Sequence, residues 1–265
     1  DVTLDGLLIA QGIQITGTAN ITLTLRHCTL APWLDLESGA PRPLTQPALH
    51  WQANGDGHLS LDRTITGRLL IHPSVQIAIQ DSIVDALADD QIALAASADG
   101  VQAAGLIKIA CTTVLGQLHV SAMELVENSI LTGVAISDRT QTGCVRFSYL
   151  PPGSRAPRRY RCQPDLALAE KARELELNSV ENLPASERSA IQTRLIPQFT
   201  SRRYSYPGYC QLSQRCAVEI QQGADDEAEM GAFHDLFQPQ RKTNLRVRLD
   251  EYLRFGLEAG VTYVT

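Results

Sequence analysis

The first 150 residues alternate between apolar and polar side chains in many short runs. The clearest run covers residues 21–25, in which Ile21, Leu23 and Leu25 alternate with two threonines. A period of two predicts a strand with one buried face and one outward face. Glycines separate the early runs at short intervals, as turns between short strands require. The pattern therefore predicts an all-β region of short strands.

One short phrase returns throughout this region, and its clearest copy is Ser129-Ile130-Leu131-Thr132-Gly133. Aligned on the Ser, Thr or Cys that opens the phrase, the copies fall at 28, 64, 82, 112, 129 and 148. Three of the intervals are close to 18 residues, one is twice that length, and one contains an insertion. A repeat of about 20 residues with strand-like content predicts a solenoid, here with about three short strands per turn.

The pattern changes after residue 150. Leu168, Ala172 and Leu175 recur at spacings of four and three among charged residues, which predicts a helix over 165–182. A second, shorter helix is predicted from 185 to about 195. Both helices would belong to an insertion that interrupts the solenoid.

The whole chain is predicted to be one continuous domain in three parts. Residues 1–150 form the repeating turns, and 151–198 form the loop and helical insertion. Residues 199–265 form the last turns and a cap. Within this third part, strands are expected over 209–212, 217–220 and 261–264. A helix around 241–255 would cover the open end of the coil, whose backbone groups are otherwise unpaired.

The recurring Ser-Ile-Leu phrase resembles the internal ladders of right-handed parallel β-helices of the pectin-lyase type. The resemblance covers 1–150 and extends to 199–222. It implies an all-β solenoid: a right-handed, single-stranded parallel β-helix with a helical insertion and a C-terminal helical cap. The segment from Phe199 onward also resembles the C-terminal part of uncharacterised bacterial hypothetical proteins, a resemblance that implies no function.

Composition narrows the classes of partner. Hydrophobic residues make up 44% of the chain and charged residues 20%, which is typical of a folded domain. The formal net charge of −6 disfavours nucleic acid or an acidic membrane as the main partner. No apolar run reaches the length of a membrane span. The six cysteines form no CxxC pair, so we predict no metal site and no cofactor, and we expect free thiols that pack as small apolar residues.

The start of the chain carries one further expectation. Its first residues, Asp1-Val2-Thr3-Leu4, have a strand pattern and lack the basic and apolar regions of a signal peptide. We therefore expect a domain excised from a longer protein, and the localisation stays open.

The acidic tail holds the strongest candidates for chemistry. Pectin-degrading hydrolases of this fold use an Asn-Thr-Asp, an Asp-Asp, a Gly-His-Gly and an Arg-Ile-Lys motif, and of these four the chain contains only Asp-Asp, of which Asp225-Asp226 is the candidate. A lyase needs only a few acids and an arginine brought together by folding. Asp225 and Asp226, with His234 and Asp235, could form a metal site or a general acid–base pair. The alternative is a solvated acidic loop before a helix.

A set of arginines and one tyrosine forms the second candidate site. These side chains could bind a polyanion through charge and stacking. Alternatively, the arginines pair with the acidic residues of the predicted helix and tie the insertion down. The candidates are Arg155, Arg158, Arg159, Tyr160, Arg161, Arg202 and Arg203.

Two functions follow from these patterns. The first is a non-enzymatic scaffold or interaction module that is part of a larger protein or assembly, with other domains of the parent protein as its partners. The second is a carbohydrate-active enzyme or binder, either a polysaccharide lyase or a hydrolase. Carboxylates that converge in a groove on one strand face would favour the enzyme, whereas outward faces of Thr, Gln and Ser would favour the scaffold.

Overall fold

The computed structural model describes residues 1–18, 20–33 and 46–260, most of which form parallel β-sheet. The strands are β1 Val2–Asp5, β2 Leu8–Ile9, β3 Ile13–Ile15, β4 Ile21–Arg26, β5 Thr29–Leu30, β6 Leu49–Trp51, β7 Gly57–Asp62, β8 Ile65–Thr66, β9 Leu69–Ile71, β10 Val75–Gln80, β11 Ile83–Asp85, β12 Ile92–Ala95, β13 Ala104–Ala110, β14 Thr113–Leu115, β15 Gln117–Glu127, β16 Ile130–Leu131, β17 Ala135–Arg139, β18 Cys144–Arg146 and β19 Arg158–Tyr160. The helices are α1 Asp165–Glu174, α2 Ala185–Arg194, α3 Val218–Gln221 and α4 Gln238–Tyr252, and 3-10 turns cover Val180–Asn182 and His234–Leu236.

The strands lie in three rows. The first row contains β1, β4, β7, β10 and β13, and the second contains β2, β5, β8, β11, β14 and β16. The third row contains β3, β6, β9 and β12, and the long strand β15 joins it to the first row. Up to β12, each strand pairs in parallel with the strand three places along the chain, so the chain passes through the rows in a constant order. The predicted short parallel strands are confirmed.

Apolar side chains from all three rows pack into one core. In the first row Leu25 pairs in register with Leu61, and Leu61 with Ile79, so similar side chains lie above one another. Val84 of the second row and Leu49 of the third row reach the same core. The alternation of buried and outward positions along β10 fits the period of two in the sequence.

The position that opens the recurring phrase forms a ladder of hydrogen bonds. The hydroxyl of Ser129 donates to the carbonyl of Glu127 at 2.6 Å and accepts the backbone N–H of Thr112 at 3.1 Å. The N–H of Ser129 in turn donates to the hydroxyl of Ser148 at 3.1 Å. Buried backbone groups require such partners, because water does not reach them. The ladder residues are Cys28, Thr64, Ser82, Thr112, Ser129, Ser148 and Cys162.

The residue before each ladder position bends the chain from the first row into the second. In all seven cases this residue has a positive φ between 46° and 50°. In the first six, the N–H binds the carbonyl at the end of the next paired strand, as Asn128 N binds Arg146 O at 3.3 Å. We call these seven the corner residues. They are His27, Arg63, Asp81, Cys111, Asn128, Phe147 and Arg161.

The side chains of the recurring phrase do not all face the core between the three rows. Val114 and Leu131 belong to the internal core, whereas Ile83 and Ile130 point to the opposite side of the second row. These two are also buried, at 4% and 0% exposure, because residues 199–237 cover them. We call 199–237 the cover segment.

The C-terminal predictions require corrections. Residues 209–212 form isolated bridges, and 217–220 is largely the short helix α3 rather than a strand. Four residues are too few for periodicity to separate helix from strand. Within the described chain α4 buries none of its residues, so the predicted cap is wrong. The helix that directly follows the last paired strands is α1.

The two insertion helices are present but short, at ten residues each. The predicted strand 261–264 falls outside the described residues. The division into 1–150, 151–198 and 199–265 stays a prediction.

Candidate functional site

The acidic tail is docked on the corner residues. Asn128 and Asp225 form a reciprocal pair: the Asn128 amide donates to Asp225 Oδ1 at 2.8 Å, and Asp225 N–H donates to Asn128 Oδ1 at 3.1 Å. The Gly231 N–H donates to the Asn128 carbonyl at 2.8 Å. Two hydrogen bonds thereby fix the candidate acid Asp225, and a third fixes Gly231, all to a single corner residue.

Asp235 meets a second corner residue. The Arg63 guanidinium donates to Asp235 Oδ2 at 3.3 Å and lies 3.6 Å from Asp81. Burial, and then the nearby charge of Asp235, raises the pKa of Asp81 above its usual value. Folding therefore brings two carboxylates and one arginine together at the corner, rather than in a groove on a strand face.

Asp226 and His234 form the centre of the candidate site. Asp226 Oδ1 lies 3.1 Å from His234 Nε2 and accepts the Ala228 N–H at 3.0 Å. His234 is only 8% exposed, and its buried Nδ1 has no hydrogen bond to any described residue and lies 3.8 Å from Asp235 Oδ1. Asp226 thus orients the imidazole ring of His234, which is buried beneath the loop.

Potential ligand atoms of Asp225, Asp226 and His234 lie within 4.8 Å of one another. Two carboxylates and one imidazole are a donor set that a divalent cation accepts. Both aspartates are exposed, however, and each already has a protein partner. These three side chains could bind a cation, but their contacts within the protein hold them in place without one.

Glu229, in the same loop, was not among the sequence-predicted site residues. It is 6% exposed and makes no side-chain hydrogen bond or ion pair with another described residue. Burial raises its pKa to about 7. An acid between alanine and methionine gives no sequence signal of burial.

The thiols are poor candidates for nucleophiles. All six cysteines are free. Burial, followed by the charge of Asp81, raises the pKa of Cys111 to about 12. Burial also raises the pKa of Cys162 to about 11. Since the thiolate is the reactive form, these two side chains are inert near neutral pH.

Two of the six candidate arginines, Arg155 and Arg159, pair with nearby acids. Arg155 binds Asp138 at 3.3 Å, and Arg159 binds Asp165 at 2.9 Å. The expected partners had been Glu170, Glu174, Glu176 and Glu181. Arg159 does hold the first turn of α1, so the arginine ties down the insertion through a different acid.

Three further members of this set, Arg158, Arg161 and Tyr160, are exposed. The Tyr160 ring packs edge-on against Phe147 at 5.6 Å. Neither arginine has a side-chain partner among residues 1–18, 20–33 and 46–260. Arg203 lies 5.1 Å from the Tyr206 ring centre. Within that part of the chain no contact joins the 155–161 group to Arg202 and Arg203, so the structure does not assemble one polyanion site from them.

Arg202 belongs to a partly exposed network that the sequence did not reveal. It holds Asp89 with two hydrogen bonds of 2.7 and 2.8 Å, and Thr132 also donates to Asp89. Burial alone would raise the pKa of Asp89, but the hydrogen bonds from Arg202 and Thr132 outweigh burial and lower the pKa. The pair joins the cover segment to the loop that follows β11.

Asp85 is the second member of this network. It is 1% exposed and accepts the Tyr209 hydroxyl at 2.6 Å. Burial raises the pKa of Asp85, whereas the hydrogen bond from Tyr209 opposes that shift. Sequence alone does not mark Asp85 as a buried acid. It stands in a copy of the recurring phrase, at a position that would be exposed if no other segment covered it.

Comparison with protein-family models, with curated proteins and with solved structures finds no match to this chain. Among the described helices, none combines the length and the apolar character that crossing a membrane requires.

Proposed function

We propose that the chain is a non-enzymatic scaffold or interaction module, built on a right-handed parallel β-helix of the pectin-lyase type. The constant order of the three rows, their parallel pairing and the hydroxyl ladder support this fold. Such a coil is rigid, because each unit is held by its neighbours on both sides. Its role is to hold the cover segment and to display α4 from one side.

One observation carries the proposal: the strongest catalytic candidates fasten the cover segment to the coil. Asp225 binds Asn128, Asp235 binds Arg63, and Asp226 orients His234 within the loop. The first-row faces outside the core fit the same conclusion. Outward positions on β4, β7 and β10 are mostly threonine, serine and glutamine. In a structural scaffold, we expect the acids of a loop to be paired within the protein and the outward strand faces to be polar, as they are here.

The carbohydrate-active alternative rests on a single feature, the approach of Asp225, Asp226 and His234. A general acid–base pair needs this kind of proximity. The same contacts explain the docking of the loop, so they do not require a substrate.

The test separates these roles by substituting Asp226→Ala, with the exposed α4 residue Asp250→Ala as the matched control. Wild type and variants are incubated with acidic and neutral polysaccharides, with and without Ca²⁺, and their unfolding is measured. We expect no cleavage, and a loss of about 1–3 kcal/mol of stability for Asp226→Ala alone, since the Ala228 N–H loses its acceptor.

Cleavage by the wild type that disappears in Asp226→Ala at unchanged stability would overturn the scaffold proposal. Cleavage retained in both variants would also overturn it and would place the active site elsewhere.

A further inference from the structure

The helix α4 stands away from the rest of the molecule. None of its residues is buried, and Leu245, Val247 and Tyr252 are 48%, 52% and 77% exposed. Its attachment is at its beginning, where Gln240 donates to the Asp226 carbonyl at 3.3 Å. Phe237, with φ of 48°, makes the sharp bend into the helix. Lys242 also donates to Gln214 Oε1, so this 15-residue helix is held in its first half and presents its second half to a partner.

One side of α4 carries a narrow apolar stripe. Leu245, Leu249 and Tyr252 follow one another at spacings of four and three, which places them on one face of a helix. Helices that bind in grooves of other proteins use anchors at this spacing. Tyrosine and arginine are also the residues most often found at the energetic centre of protein interfaces.

Basic side chains flank the stripe on both sides. Helical geometry places Arg241 and Arg248 along one edge and Arg246 along the other. None of these three pairs with an acid within the described chain. Asp250 and Glu251 lie towards the opposite face, with Val247. Residues 238–256 contain five basic and two acidic side chains, a local charge of +3 in a chain of net charge −6.

We infer that α4 is a docking helix for a protein partner that offers an apolar groove with carboxylates along both rims. The inference rests on the proposed function and specifies the partner of the scaffold. Leucine and tyrosine anchors would fill the groove, and the arginines would meet the acidic rims. Charged rims of opposite sign select the partner and speed its encounter with the helix.

Two other occupants fit the surface less well. In a pair of α4 helices from two copies, the arginine edges would face one another and repel. A lipid surface requires a broad apolar face. The apolar stripe of α4 consists of only three side chains, one after another along the helix. Val247 lies on the opposite side of the helix.

The experiment uses the full chain and two synthetic helical peptides. Both peptides have leucine and isoleucine at their core positions; one has glutamate at its flanking positions and the other has lysine. Binding is measured by fluorescence anisotropy of the labelled peptide. We expect the acidic peptide to bind and the basic peptide not to bind.

Three variants of α4 sharpen the test. Leu249→Ser should weaken binding about tenfold or more, because a leucine anchor is lost. Val247→Ser, an equally apolar deletion on the other face, should leave binding unchanged. The double charge reversal R246E/R248E should switch the preference to the basic peptide. Circular dichroism confirms that each variant keeps its helix.

The inference is overturned if neither peptide binds, if both bind equally, or if Val247→Ser weakens binding as much as Leu249→Ser. Binding to vesicles of anionic phospholipid with no binding of the acidic peptide would replace the protein partner with a lipid surface. Concentration-dependent self-association lost in Leu249→Ser would replace it with a second copy. Polysaccharide cleavage would overturn the proposed function without affecting these peptide measurements, so the two failures are distinguishable.

Discussion

At the scale of single residues, the opening position of the phrase acts through its polar atom. Serine, threonine and cysteine all place a donor beside the carbonyl two residues earlier, as Cys28 does with Arg26 at 3.1 Å. In the ladder the serine hydroxyls also accept an N–H from the neighbouring unit. The tolerance for three residue types follows, since the position requires a small side chain with a donor atom.

Replacing Ser129 with alanine tests this role. Ser129 is fully buried, and its loss leaves the Thr112 N–H without an acceptor. We expect Ser129→Ala to lose about 1–3 kcal/mol in urea unfolding. Ser129→Thr is the control: it keeps the hydroxyl and should lose less. Equal stability of Ser129→Ala and wild type would show that the ladder bond contributes nothing.

The buried acid Glu229 makes stability depend on pH. Its folded pKa is about 7, above the usual value near 4.5. Between these pH values the folded state binds more protons than the unfolded state, so the contribution of Glu229 to stability falls as pH rises through this window. Glutamine cannot ionise. Glu229→Gln should therefore match wild type near pH 4 and exceed it above pH 7, by on the order of 2 kcal/mol.

Thermal melting of both proteins across this range measures the difference, in which the other titrating groups cancel. A difference that stays constant with pH would place Glu229 in contact with water.

At the scale of elements, the second row has two apolar faces and therefore two layers packed on it. Leu131 faces the core inside the three rows, while Ile130 faces the cover segment at Leu212, Ile220 and Met230. The second row thus lies between the core and the cover segment. The described strands of each row pair with one another without a partner from the cover segment.

Substitution of the adjacent residues Ile130 and Leu131 should separate these layers. Each aspartate would introduce an unpaired buried charge and cost on the order of 4 kcal/mol. Ile130→Asp should release the cover segment, so that limited proteolysis cuts within 199–237 while the β signal in circular dichroism persists. Leu131→Asp should abolish that signal. The same outcome for both variants would contradict separate layers.

At the scale of the whole molecule, the sequence predicts what depends on neighbours along the chain. Alternation revealed β4 and β10, and the recurring phrase revealed the period of the units. These signals are local, because a strand buried on one face must alternate whatever covers it. The helix spacing likewise located α1 and α2.

The remaining features depend on contacts between distant parts of the chain. Tyr209 and Asp85 are 124 residues apart, and Asn128 and Asp225 are 97 apart. No local pattern marks such a pair, so the tail was predicted as a cap and its acids as a possible catalytic group. For the same reason, the sequence did not show that Ile83 and Ile130 face the cover segment rather than the internal core. The candidate residues were found in the sequence, but their roles were set by the fold.

The corner residues also bear on how a chain of this kind changes length. Every corner has the same backbone conformation, and all of them except the last, Arg161, make the same hydrogen bond to the following unit. A segment copied from one corner to the next would therefore carry its own bend, ladder residue and core side chains into register. Such a duplication adds a unit without disturbing the contacts on either side. A chain with this repeat can thus be lengthened by gene duplication in whole units, with each new unit stabilised as soon as it appears.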